Sequence, residues 1–164
     1  MKSTPTLESN PTAPAARSVA NAATIPKSHK APHTFIKQLT IVYETSLKLT
    51  EALIGANSEQ AKTLAGGVGK ALAGVDMMLL SGAAHTDWMT YLNTMNAALK
   101  ALNMTTDLEK QRTAYAQFEE GLYRSIKAFG VTDKPVYRQF CPMALNNKGS
   151  CWLSDKKPIR NPYF

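Results

Sequence analysis

The feature that most constrains this chain is where its prolines fall. They stand at positions 5, 11, 14, 26 and 32, then at 135, 142, 158 and 162, and residues 33–134 contain none. Proline lacks a backbone donor and its ring clashes with the preceding helical turn, so it is kept out of helix interiors. A proline-free stretch between two proline-bearing ends predicts a helical domain flanked by irregular segments. The chain has 164 residues and is 44% hydrophobic, enough for one domain with a core and a tail. No apolar run approaches the ~20 residues a membrane-spanning helix needs.

Residues 1–32 carry no aromatic and few branched aliphatic side chains. They offer too little apolar surface to offset the entropy of ordering and read as a flexible linker. His29 and His33, at its end, read as solvated. Met1–Ala23 lacks the apolar stretch of a signal peptide, so the chain is either cytosolic or a mature segment behind an added Met1.

Four helical patterns fill residues 33–134. The first spans 33–54, with Phe35, Leu39, Val42, Leu49 and Leu53 keeping a helical rhythm and Ile36, Tyr43, Leu47 and Ile54 widening the stripe. Gly55 suits its end. The second spans 58–80, with Asn57 as cap and Gln60 as reciprocal partner. It carries Gly66, Gly67, Gly69 and Gly74, which predicts close helix approach or a break at Gly66-Gly67. The third spans 86–102, with Trp88, Leu92, Met95, Leu99 and Leu102 as the seam. The fourth begins at the capping box Thr106-x-x-Glu109 and stops at Gly130. Short connections make an all-α four-helix bundle the expected fold.

Residues 135–164 differ. Val136, Tyr137 and Phe140 suggest a short extended segment, followed by Cys141-Pro142-Met143, the polar turn Asn146-Asn147-Lys148-Gly149, and Cys151-Trp152-Leu153-Ser154. This irregular segment is expected to pack on one end or face of the bundle, as part of the same domain.

The formal net charge is +7. Residues 33–134 hold ten basic and ten acidic side chains, so the excess lies wholly in the two ends. No basic recognition helix emerges, and nucleic-acid binding is not expected. Catalysis finds little footing either: there is no phosphate loop, zinc-protease motif or nucleophile elbow. Glu119 and Glu120 beside Arg124 read as a solvated charged face.

The one constellation with distinctive chemistry is soft. Cys141 and Met143 are two sulfur donors two residues apart, the type that selects Cu(I). His85 and Met89, four apart on the third helix, can share a face. Against a metal site of Cys141, Met143, His85 and Met89 stands a plain packing reading: a buried cysteine, a gap-filling methionine and a capping histidine. Cys141 and Cys151 bracket a glycine-containing turn, so a disulfide between them stays open.

Tyr137-Arg138-Gln139-Phe140-Cys141-Pro142-Met143-Ala144, then Trp152-Leu153-Ser154, then Ile159-Arg160-Asn161-Pro162-Tyr163-Phe164, resemble the bacterial domain of unknown function 3347 family. Trp88-Met89 and Gln111-Arg112-x-x-Tyr115-x-x-Phe118 resemble its helical part. The resemblance implies an exported, periplasmic or otherwise extracytoplasmic protein. It also implies a link to copper or silver handling, because the domain occurs on periplasmic adaptors of heavy-metal efflux systems. It implies no enzymatic activity. The family pattern continues past Asn-Pro-Tyr-Phe with a glycine, a methionine and a final Cys-Gly. This chain ends at Phe164, so the native chain is expected to continue. Cys151 departs from the pattern and offers a substitute ligand or disulfide partner. Two functions follow as expectations: a Cu(I)- or Ag(I)-binding module with envelope or efflux partners, or a non-catalytic interaction module whose closing motif is structural.

Overall fold

The computed structural model describes residues 25–164. Residues 33–134 form the expected bundle: α1 (His33–Ile54), α2 (Ser58–Ala73), α3 (Gly82–Asn103) and α4 (Leu108–Phe129). The short connections make the helices run up and down in turn. At one end Phe35, Trp88 and Phe129 meet edge to face, with ring centroids 5.0 to 6.1 Å apart. Among the described residues no helix is long and apolar enough to cross a membrane.

The helix ends depart from expectation in instructive ways. Helix α2 runs unbroken through Gly66-Gly67 and stops at Gly74, before the expected Leu80. Beyond it, Asp76 accepts from the Met78 N–H at 2.9 Å and winds Met77–Leu79 into a separate 3-10 turn. Close approach does not explain the α2 glycines. A methyl group on Gly66, Gly67 or Gly69 would meet nothing within 4 Å. The glycine that admits a neighbouring helix is Gly121 on α4, where a Cβ would lie 2.7 Å from Met95 Cγ on α3.

Helix α3 begins at Gly82, four residues before the expected Thr86, since Ala83 and Ala84 extend it readily. Helix α4 starts at Leu108. Asp107, not Thr106, caps it by accepting from the N–H groups of Glu109 (3.0 Å) and Lys110 (3.2 Å). Glu109, freed from the expected box, pairs with Arg112 at 3.1 Å. Gly130 ends the helix with φ +86, where glycine carries no Cβ penalty.

The first twenty-four residues of the expected linker lie outside the described residues. Residues 25–32 have no regular structure, yet His29 is not solvated. Its side chain is 13% exposed, stacks on Phe129 and places Nε2 2.7 Å from Asp87 Oδ2. Its N–H donates to the Ala128 carbonyl at 2.7 Å. An aromatic partner and a carboxylate on two helices hold it, a reach that sequence context does not show. His33 is exposed, as expected.

The closing segment is more ordered than the irregular tail expected. Strands β1 (Tyr137–Cys141) and β2 (Ser150–Ser154) form an antiparallel hairpin, in register from Tyr137 opposite Ser154 to Cys141 opposite Ser150. The link between them includes one short turn, α5 (Ala144–Asn147), in which Leu145, Asn146 and Asn147 all have φ between 54 and 63°. Two asparagines suit that left-handed path. Gly149 completes it with φ +79, at a point where a Cβ would lie 2.8 Å from the Phe140 ring.

Candidate functional site

The hairpin lies along α4, and the junction is built from motif residues. Gln111 Nε2 donates to the carbonyls of Ser58 (2.9 Å) and Thr105 (2.8 Å), pinning the start of α2 to the α3–α4 connection. Buried Arg112 donates through Nε to the Pro162 carbonyl at 3.0 Å, holding the Asn161-Pro162-Tyr163-Phe164 end. One turn on, the Tyr115 hydroxyl lies 2.7 Å from Thr50 Oγ1 on α1, and its ring packs against Tyr163. Phe118 fills the core.

The hairpin has its own ties. Ser150 Oγ donates to the Tyr163 hydroxyl, which donates to the Cys151 carbonyl, both at 2.9 Å. Buried Gln139 turns its amide nitrogen toward three carbonyls, Lys156 and Lys157 at 3.1 Å and Pro158 at 3.4 Å. Tyr43 donates to the Pro135 carbonyl at 3.0 Å, fixing the entry to β1.

At the centre sits Glu119. It was expected on a solvated face, but it is only 2% exposed. Its Oε2 accepts the Leu153 N–H at 2.7 Å, and Oε1 has no partner among the described residues. Burial disfavours the charged form and raises its carboxyl to about 8, against the pull of the Leu153 N–H and the Tyr115 hydroxyl. Burial, aided by Glu119, likewise pushes the Tyr115 hydroxyl well up. Helical spacing accounts for this burial. Glu119 lies four residues after Tyr115 and seven after Arg112, on the stripe of α4 that the hairpin covers. Glu120, one position round, does face outward and pairs with Arg124 and Arg138, both at 3.0 Å. Arg138 also lies 3.7 Å above the Tyr123 ring.

The four residues of the soft-donor set fall in two places. Cys141 ends β1 and is 7% exposed, while Met143, two residues on, is 63% exposed. Past them, Leu145 shares a groove with Ala101 near the far end of α3. His85 and Met89 lie in the first turns of α3, half-buried. From His85 to Ala101 the helix rises roughly 24 Å. The structure thus brings His85 together with Met89, and Cys141 together with Met143, at opposite ends of the bundle. Among the described residues no group of three or more His, Cys, Asp or Glu is placed to hold a metal ion.

Cys141 and Cys151 are both free. Cys141 is opposite Ser150 and Cys151 opposite Phe140, so the two side chains leave opposite faces of the hairpin. A disulfide would require the register to slip by one residue. Burial raises the Cys151 thiol, with Arg138 opposing and Glu120 adding to the shift.

These features define a class: a helical bundle clasped by a C-terminal hairpin. The chain belongs to the family described as protein of unknown function (DUF3347), whose model matches residues 42–134, from within α1 to just beyond α4. Neither a curated protein nor a solved structure matches it.

Proposed function

We propose that the chain is a non-catalytic interaction module of the extracytoplasmic space, docking onto an envelope protein. The observation that carries this reading is the division of labour in the closing segment. Its inward residues hold the hairpin to α4, while Phe140 on β1, 57% exposed, and Met143 in the turn face solvent. Further along the same turn, Leu145 and Asn146 line a groove of about 540 Å³ together with Ala101, Ala114, Gln117 and the charged Lys110. Exposed aromatic and methionine side chains next to a concave surface are features of protein-binding patches. The family resemblance supplies the extracytoplasmic setting and metal-efflux adaptors as the kind of partner.

The second reading is Cu(I) or Ag(I) binding. One observation favours it: Met143 is open to solvent beside Cys141. In this reading those two sulfurs act without His85 and Met89. One pair of variants separates the readings. Reduced, anaerobic protein is titrated with Cu(I), alongside Cys141→Ser/Met143→Leu and His85→Ala/Met89→Leu. The interaction reading expects no tight binding in any of the three. Tight binding lost only in the first variant establishes the metal reading instead.

A further inference from the structure

We propose that Glu119 is a proton-operated latch: the hairpin stays seated on α4 while this carboxyl is neutral, and loss of its proton favours lifting of the hairpin. The inference stands apart from the proposed function and rests on geometry. Glu119 is sealed between α4, α1 and β2, and it carries one oxygen on the Leu153 N–H and one with no partner. A neutral carboxyl tolerates that setting, whereas a carboxylate buried with only the Leu153 N–H and the pull of the Tyr115 hydroxyl to offset its charge is costly.

The groups around it offer no counter-charge. From α4 come Tyr115, Glu120 and Tyr123; from α1, Tyr43; from β1, Arg138; from β2, Cys151; from the following chain, Asp155 and Tyr163. Among the described residues, the cation lining the cleft at Glu119 is Arg138, which is committed to Glu120 and stacked on Tyr123, while Arg112, two turns back on α4, is committed to the Pro162 carbonyl and Glu109. Water is close, however. A narrow cleft lined by Glu119, Arg138, Cys151 and Leu153 separates the carboxyl from the surface. The segment is tethered at both ends, by Tyr43 to the Pro135 carbonyl and by Arg112 to the Pro162 carbonyl. The hairpin can therefore lift as a flap while its ends stay bound. Lifting uncovers Trp152 and Leu153.

The direction follows from linkage. Docked, the carboxyl titrates at about 8; released into water it returns toward 4.5. Between those values the docked form holds the extra proton. The ratio of docked to lifted hairpin therefore falls about tenfold per pH unit across that window and levels off above it. None of the three histidines lines the cleft at Glu119: His29 and His33 sit beside the start of α1 and His85 in the first turns of α3.

Native-state hydrogen exchange of the whole chain, followed by NMR from pH 5 to about 9.5 and normalised to intrinsic rates, tests the latch. Protection of the Leu153 amide is expected to fall about tenfold per pH unit, while amides in the middle of α4 remain at least a hundredfold better protected. Glu119→Gln, which keeps an acceptor for Leu153, is expected to abolish the slope. Carboxyl-¹³C glutamate in the unsubstituted chain gives a readout without mutation: the Glu119 signal must titrate where the slope levels off. A flat profile overturns the latch. So does an equal slope in Glu119→Gln, opening of β2 only together with α4, or a Glu119 titration at the ordinary carboxylate position.

Discussion

Replacing Gly66, Gly67 and Gly69 together by alanine should make this protein more stable. Each lies inside α2, where glycine is about 1 kcal/mol less favourable than alanine because it leaves more backbone freedom to be lost. Such a gain is normally cancelled when the new methyl strikes a neighbour. Here an added Cβ meets no atom within 4 Å at any of the three sites. The expected gain is about 2–3 kcal/mol, which for a chain of this size corresponds to a rise of roughly 5–10 °C in Tm. Gly121→Ala is the matched opposite. Its Cβ would lie 2.7 Å from Met95 Cγ and 3.5 Å from the Tyr91 carbonyl, so α3 and α4 must shift or Met95 must repack. A loss of about 1–3 kcal/mol is expected. Urea and thermal unfolding followed by circular dichroism at helix wavelengths reads both variants against the parent. A triple variant no more stable than the parent, or less stable, refutes the reasoning. It would mean that the open face of α2 is occupied in solution.

Three further outcomes are expected. Global stability should fall between pH 4.5 and pH 8, because folding lifts the Glu119 carboxyl to about 8 and the folded state binds the extra proton in that window. The full span is on the order of 4–5 kcal/mol, read as urea midpoints across pH, and Glu119→Gln should flatten it. Thr50→Val removes the partner of the buried Tyr115 hydroxyl, 2.7 Å away, and should cost about 1–3 kcal/mol by thermal melting, with Tyr115→Phe in the same background restoring most of it. Mild oxidation followed by intact mass measurement should find no intramolecular loss of two hydrogens, because Cys141 and Cys151 leave opposite faces of the hairpin.

How much of this was legible in the sequence depended on the range of the interaction. The bundle was plain because proline exclusion and helical periodicity act within a few residues, and α1 was placed at 33–54 as found. The end of α2 was missed because Gly74 looks no different in sequence from the three glycines the helix runs through, and the stop is marked only by Asp76, whose side chain caps a new turn two residues on. The hairpin was visible only as an extended segment and a turn, since its register depends on residues thirteen positions apart meeting at Gln139 and Trp152. The cost of reading locally was largest at Glu119. Its neighbours Glu120 and Arg124 are surface residues, and nothing nearby in the chain announces that Leu153 will cover it. The spacing to Tyr115 and Arg112 held the only hint. The soft-donor set failed to converge for a related reason. Spacing correctly placed His85 beside Met89 on one helix, but it carried no information about which end of that helix the hairpin turn would reach.

The two tethers of the closing segment also bear on the order in which the chain assembles. Arg160 pairs with Glu51 across 109 positions of sequence, and the hairpin rests on side chains from both α1 and α4. None of these seats exists until the helices have met. The helices, by contrast, form from contacts close in sequence, which are made early and fast. Closure of the hairpin is therefore expected late in folding, with β2 settling onto a bundle already built. In the growing chain, residues 135–164 also emerge after all four helices. Up to that moment Tyr115, Glu119 and the α4 stripe around them stand open to water.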